Sequence, residues 1–283
     1  MSKNVSGRIN KFNGHQFKKS LGQNFISDIN LLTAIGEDSG VSKDDFVVEV
    51  GAGAGTLTNI IAKRCKEIVS FEVDKSLTEA LSKVQEQNPN LRVVFRDIMD
   101  VDLDNISREF LLEENENFSY KVVANLPYYI TTPIIFKFLK DFKRLKSLTI
   151  MVQKEVGERI VATPKNKEYG ALSAMVNFYG NARICRIVRK QNFYPMPKVD
   201  SCIVRIDIEN GKFSEVSSLS YEKLIRVAFN NRRKTLVHNL TSELKIPRDQ
   251  AIEALIKIGL NEKVRGEELS TSQYVELIKI LSI

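Results

Sequence analysis

Histidine and cysteine are scarce in this chain of 283 residues, and that scarcity narrows its chemistry. The three cysteines, Cys65, Cys185 and Cys202, are odd in number and form no CxxC or Cys/His cluster, so neither disulfides nor structural zinc is expected. The only histidines, His15 and His238, lie outside the pocket-forming segments described below. With no Ser-His-Asp set and no metal constellation, hydrolase and metalloenzyme chemistry have little support, and no metal is expected. No stretch approaches the ~20 apolar residues of a membrane span. The N-terminal MSKNVSGRINKFNGHQFKK is basic but has no apolar segment behind it, unlike a secretory signal. A cytoplasmic protein without a membrane partner is the expectation.

Charge is unevenly distributed. The net +7, from 42 basic and 35 acidic residues, says little alone. Between Arg183 and Arg205, however, six basic residues face one acid, Asp200, and Tyr221–Leu240 holds Lys223, Arg226, Arg232, Arg233 and Lys234 against Glu222. Clustered charge of one sign suits a polyphosphate partner. A merely solvated face accounts for charge equally well at this point.

Short β-branched runs alternate with amphipathic stretches from about residue 28 to 208. Phe46–Val50, Ile68–Val73, Leu91–Phe95, Lys121–Ala124, Leu148–Val152, Arg183–Val188 and Cys202–Ile208 read as strands, several apolar almost throughout. Thr56–Arg64, Ser76–Gln87, Thr132–Phe142 and Gly170–Tyr179 carry helical spacing, with Asp74 and Ser76 as candidate caps. This alternation predicts an α/β fold with a doubly wound, mostly parallel sheet. Residues 1–208 form the first expected domain. Polar Glu209–Ser220 is a linker, and residues 221–283 are helical, over Tyr221–Phe229, Arg232–Leu244, Arg248–Ile258 and Ser272–Leu281.

The segment FVVEVGAGAGTLT (Phe46–Thr58) runs from a buried strand through a glycine-rich turn into a helix. Glycines at 51, 53 and 55 let a ligand lie against main-chain atoms. A dinucleotide fingerprint would need its third glycine at Thr56, which argues against a nicotinamide dinucleotide; a tight turn with no ligand would also account for the glycines. Two acids favour a ligand. Glu72, near the end of the second strand, can accept ribose hydroxyls, and Asp97, after the third, can reach an adenine amino group. Carboxyl ends of adjacent parallel strands meet at one crevice, and Glu49 in the first strand also suits a cationic or hydroxyl-rich ligand. S-adenosylmethionine, with ribose and adenine but no phosphate, fits this set.

The fourth strand ends in Asn125-Leu126-Pro127-Tyr128. The lone pair of adenine N6 is delocalised into the ring, so methylation there needs acceptors that hold the N–H groups rather than a strong base. The Asn125 side-chain oxygen and the Leu126 carbonyl are candidates. Pro127 stiffens the turn, and Tyr128 offers a flat surface for an extruded base. Phe193, in the proline-bearing FYPMPKVDS, is the candidate second aromatic wall; it could equally be a packing residue.

These residues carry a resemblance. KKSLGQNF (Lys18–Phe25), VEVGAGAGTLT, NLPYYITTPI (Asn125–Ile134), QKEVGERIVA (Gln153–Ala162), YPMPKVDS and FNNRRKTLVHNL (Phe229–Leu240) occur in order, and the chain resembles the KsgA-type small-subunit ribosomal RNA adenine dimethyltransferases along essentially its whole length. The resemblance implies a Rossmann-like, seven-stranded class I methyltransferase sheet with a small C-terminal all-helical domain. It also implies dimethylation of two neighbouring adenosines near the 3′ end of small-subunit rRNA during ribosome assembly, within a pre-ribosomal particle, with loss of the modification linked to kasugamycin resistance. A monomer is expected. Asn24 and Ile26 would join Gly51, Gly53, Glu72, Asp97 and Asn125 around S-adenosylmethionine; Lys18, Lys19, Arg232, Arg233 and Lys234 would face RNA. The second position of the glycine turn departs from the family, which often has proline there. Alternatives are a large-subunit enzyme of the erythromycin-resistance type, and an assembly factor whose main act is binding pre-ribosomal RNA.

Overall fold

The computed structural model describes residues 11–12, 15–16, 25–26, 28–106, 109, 118–141 and 143–283. Seven strands form one sheet: β1 (Phe46–Val50), β2 (Glu67–Phe71), β3 (Leu91–Val94), β4 (Tyr120–Asn125), β5 (Leu145–Gln153), β6 (Gly180–Val188) and β7 (Ser201–Ile208), in the order β3-β2-β1-β4-β5-β7-β6. β1 pairs in parallel with β2 and with β4, β2 with β3, and β4 with β5. The Glu209 N–H donates to the Tyr179 carbonyl at 2.9 Å, so the end of β7 lies beside the start of β6 and that pair runs antiparallel. The parallel core agrees with the apolar, rather than alternating, reading of the strands: Val47, Val48 and Val50 are all buried. The chain winds from β1 outward to β3, then crosses back to β4 on the other side of β1. A crevice therefore opens at the carboxyl ends of β1 and β4.

By contacts the chain divides into two compact units, Met1–Lys154 with Ile184–Arg205, and Glu155–Arg183 with Ile206–Ile283. Residues 155–183, read from sequence as part of the first domain, thus cluster with the C-terminal helices. In the first unit, α1 (Ile29–Asp38), α2 (Thr56–Ala62), α3 (Thr78–Gln87) and α4 (Thr131–Lys140) flank the sheet. α1 has no counterpart among the helices expected from sequence. It buries only Leu32, Ile35 and Gly36, too few to write a clear period, and its start is fixed by the Asp28 carboxylate accepting from the N–H groups of Asn30 (2.9 Å) and Leu31 (3.3 Å). The Asp74 carboxylate likewise accepts from the Ser76 N–H at 3.0 Å, ahead of α3. α4 tolerates Pro133 because the residue sits in the first turn, where its missing N–H costs nothing. A short helix, α5 (Lys154–Ile160), follows β5.

The second unit holds α6 (Ala171–Tyr179), α7 (Ser218–Asn230), α8 (Leu236–Leu244), α9 (Arg248–Lys257) and α10 (Thr271–Leu281). Its core is built on tyrosines whose hydroxyls are all hydrogen-bonded, as burial requires. Tyr169 donates to the Leu269 carbonyl (3.1 Å), Tyr221 to Ala174 (3.1 Å) and Tyr274 to Gly266 (2.6 Å). Phe178 of α6 stacks on Tyr221 of α7 at 4.1 Å between ring centroids, which is why α6 belongs with this unit. The helix expected from Arg232 begins at Leu236 instead. The Thr235 hydroxyl caps it by accepting from the His238 N–H at 3.3 Å, leaving Arg232, Arg233 and Lys234 in the preceding turn. Among the described residues, no helix is long and apolar enough to cross a membrane.

Candidate active site

The glycine turn leaves β1 at the crevice. Gly51 has φ +80°, and a Cβ there would stand 3.1 Å from the Asn125 carbonyl oxygen. Glycine is therefore what lets the ends of β1 and β4 approach each other. At Gly55 (φ +81°) a Cβ would come within 2.7 Å of Val84 Cγ2, so the turn also lies hard against α3.

Glu72 follows β2 and is 7% exposed. Its Oε2 accepts the Gly53 N–H at 2.8 Å, and its Oε1 accepts the N–H groups of Val73 (2.8 Å) and Asp74 (2.9 Å). One carboxylate thus fixes both the glycine turn and its own loop through charge-assisted hydrogen bonds. Asp97, after β3, caps a short 3-10 turn by accepting the Met99 N–H at 2.9 Å.

On the β4 side, Asn125 ends the strand, buried Leu126 follows, and Pro127 leads into a 3-10 turn over Tyr128–Ile130. The Tyr128 hydroxyl is hydrogen-bonded at 2.8 Å to the hydroxyl of Ser201, a fully buried residue at the start of β7. Burial raises the Tyr128 phenol above its ordinary range, only partly offset by that bond, so it stays neutral near pH 7. Ser201 closes the YPMPKVDS segment, but the sequence reading gives it no role.

One cavity, of about 280 Å³, is walled by Gly51, Gly53, Glu72 and Asp97 together with Asn125, Leu126, Pro127 and Tyr128. Ile26, Leu32, Phe71 and Ile134 add apolar wall. The volume is near the lower end for small-molecule sites. Tyr129, also on the wall and 67% exposed, belongs to the NLPYYITTPI segment but has no role in the sequence reading. Phe193 is not on the wall. It is 4% exposed, its backbone pairs with Ile26, and its ring packs in the cluster of Ile26, Leu32, Met151 and Ile203. The short strand pair turns it into the core, so in this structure it backs the wall instead of forming it.

Asn24, Lys18 and Lys19 lie outside the described residues. In the second unit, Arg232 is engaged within the fold: its guanidinium donates to Glu267 Oε2 (2.9 and 3.2 Å) and to the Tyr169 carbonyl (3.0 Å). Arg233 and Lys234 beside it are exposed.

Behind the glycine turn, Glu49 is fully buried. The Ser70 hydroxyl donates to its Oε2 at 2.5 Å. Loss of hydration raises the Glu49 carboxyl to about 7, only partly offset by the hydroxyls of Ser70 and Thr58. The unfolded chain ionises this group at its ordinary value of 4.5, so its contribution to stability is complete below pH 4.5, falls as pH rises, and levels off above pH 7. Glu49→Gln removes that dependence. Its stability relative to the parent should therefore improve by roughly 3 kcal/mol between pH 4.5 and 8, at about 1.36 kcal/mol for each pH unit between the unfolded and folded ionisation points. Urea unfolding at the two pH values checks this; a pH-independent difference between the proteins contradicts it.

Comparison with known proteins bears on this geometry. The family model described as ribosomal RNA adenine dimethylase matches residues 14–282. The chain is 40% identical over 270 residues to the Ribosomal RNA small subunit methyltransferase A of Clostridium acetobutylicum, covering 95% of each chain. It is 42% identical over 265 residues to the protein of that name from Caldanaerobacter subterraneus subsp. tengcongensis, covering 93% of this chain and 97% of the relative. Among solved structures it is similar in fold to a dimethyladenosine transferase from Plasmodium falciparum, with TM-score 0.77, 23% identity and coverage of 91% and 97%. The 23S rRNA methyltransferase ErmE is similar in fold too, with TM-score 0.67, 24% identity and coverage of 92% and 100%.

Proposed function

The chain belongs to the ribosomal RNA adenine dimethylase family, and we propose that it dimethylates N6 of adenosines in small-subunit ribosomal RNA, taking the methyl groups from S-adenosylmethionine. The observation that carries the reading is that one cavity is walled both by Gly51, Glu72 and Asp97 and by Asn125 to Tyr128, so a donor and an acceptor can meet in it.

The wall fits the donor chemically. It offers a carboxylate of the right kind for ribose hydroxyls at Glu72, a second acceptor for an adenine amino group at Asp97, a main-chain turn free of side chains at Gly51 and Gly53, and apolar surface at Ile26 and Phe71. S-adenosylmethionine, when bound, supplies a methyl group already activated on a positively charged sulfur. The protein's work is then positional. The Asn125 amide oxygen and the Leu126 carbonyl accept the two N–H groups of an extruded adenine, or the one that remains after the first transfer, and direct its N6 lone pair toward the methyl carbon. Pro127 fixes the turn that presents them, and the Tyr128 ring, held by Ser201, supports the base plane. Phe193 stiffens this region from behind Ile26. Holding the reacting atoms in line is worth several orders of magnitude in rate.

Arg233 and Lys234 are assigned to phosphate contacts; Arg232, through Glu267 and Tyr169, secures the turn that carries them. Asn24 beside the donor and Lys18 and Lys19 on RNA complete the assignment. The substrate state is an assembling small subunit. The test is transfer of labelled methyl groups to ribosomal subunits from cells lacking this protein, with modified adenosines mapped by mass spectrometry. Label in N6,N6-dimethyladenosine near the 3′ end of small-subunit RNA is the expected result. Label confined to large-subunit RNA overturns the substrate, and no transfer overturns the enzyme reading.

A further inference from the structure

We propose that Tyr129 forms a stacking subsite for the nucleobase that flanks the adenosine held in the cavity. This rests on the RNA-methylation reading above and adds a second base-binding position to it. Tyr128 and Tyr129 are consecutive residues of one 3-10 turn, where three residues complete a turn and neighbouring side chains point roughly 120° apart. The two rings therefore cannot serve one base. Tyr128 is half-buried, with its hydroxyl tied to Ser201 at 2.8 Å. Tyr129 borders the same cavity but is 67% exposed, and its side chain makes no hydrogen bond or ring–ring contact with other described residues.

Such exposure sets it apart from the other aromatics on the cavity wall, since Phe71 is 1% exposed and Tyr128 half-buried. A ring left in water at the mouth of a site gains most by covering another flat apolar surface. The polymer supplies one: a base drawn out of its stack stays covalently joined to its neighbours, and a neighbour that has lost its stacking partner must lie at the rim. Stacking on an aromatic ring is tolerant of base identity, so the subsite would recognise a purine or pyrimidine in single-stranded context rather than a particular sequence.

The test compares Tyr129→Ala, Tyr129→Phe, Tyr129→Trp and Tyr129→Leu in steady-state methylation of unmodified small subunits, alongside calorimetric binding of S-adenosylmethionine. Loss of one stacked base is expected to raise the KM for RNA on the order of 10-fold in the alanine protein, with kcat little changed and donor affinity unaltered. Phenylalanine and tryptophan should retain the parent KM, and leucine should not. An alanine protein with the parent KM overturns the subsite. Leucine performing as well as phenylalanine does so too, by pointing to apolar packing against a protein of the particle. A fall in donor affinity instead places the ring against the cofactor and also rejects the proposal. If Tyr129→Ala proves unstable, the leucine-versus-phenylalanine comparison still decides. A parent enzyme with no transfer defeats the RNA reading itself, whereas normal parent transfer with unaffected variants defeats only the subsite.

Discussion

Replacing Asn125 by alanine is expected to lower methyl transfer by a factor on the order of 100 to 1,000, the usual cost of deleting one preorganised hydrogen-bonding group around a reacting atom. The exocyclic amine has no lone pair to give while that pair is shared with the ring. An acceptor for its N–H on the side away from the methyl group favours the pyramidal nitrogen that can attack. The Leu126 carbonyl remains in the variant but holds only one of the two N–H groups. The close approach of the Asn125 carbonyl to Gly51 is made by backbone and survives the substitution, so the fold should persist. Single-turnover transfer to unmodified subunits, with calorimetric donor binding as control, measures the effect. Parent-like transfer by this variant would remove Asn125 from the chemistry.

Glu72→Gln should weaken binding of S-adenosylmethionine by roughly 100-fold, because hydrogen bonds to a charged group contribute about 1.5–3 kcal/mol each. The substitution is nearly isosteric but acts twice. It removes the charge offered to the ribose hydroxyls, and it turns an amide NH2 toward a site where both oxygens already accept from main-chain donors, those of Gly53, Val73 and Asp74. One of those donors must lose its partner, and the glycine turn loosens with it. At saturating donor kcat should largely recover, since Glu72 does not touch the acceptor in this reading. Calorimetric titration reads the affinity; an unchanged Kd would show that the ribose is held elsewhere.

Much of this is legible in the sequence, for a physical reason: the features concerned are local. Gly51 and Gly55 are required by the positive φ of the turn itself. The apolar runs of β1 and β4 follow from burial on both faces, and the acids at the ends of β2 and β3 follow from the parallel order. What escapes such a reading depends on partners distant in the chain. Ser201 is 73 positions from Tyr128; each lies in a recognisable motif, but neither motif shows that the two side chains meet. Phe193 reads from sequence as a clamp or as core, and the backbone partner it has in the fold, Ile26, lies far off in the chain. Arg232 looks like its neighbours Arg233 and Lys234 until Glu267 and Tyr169 appear beside it. The start of α8 is misplaced by sequence because the basic run RRK has good helical propensity, yet the Thr235 cap fixes the boundary after it.

The bond between Tyr128 and Ser201 ties the two sides of the site to different stretches of chain. The glycine turn, Glu72 and Asp97 all precede β4 in the chain, whereas the ring that supports the substrate base takes its anchor from Ser201 at the start of β7. The base-holding side of the cavity is thus braced by the last strand of the sheet in chain order.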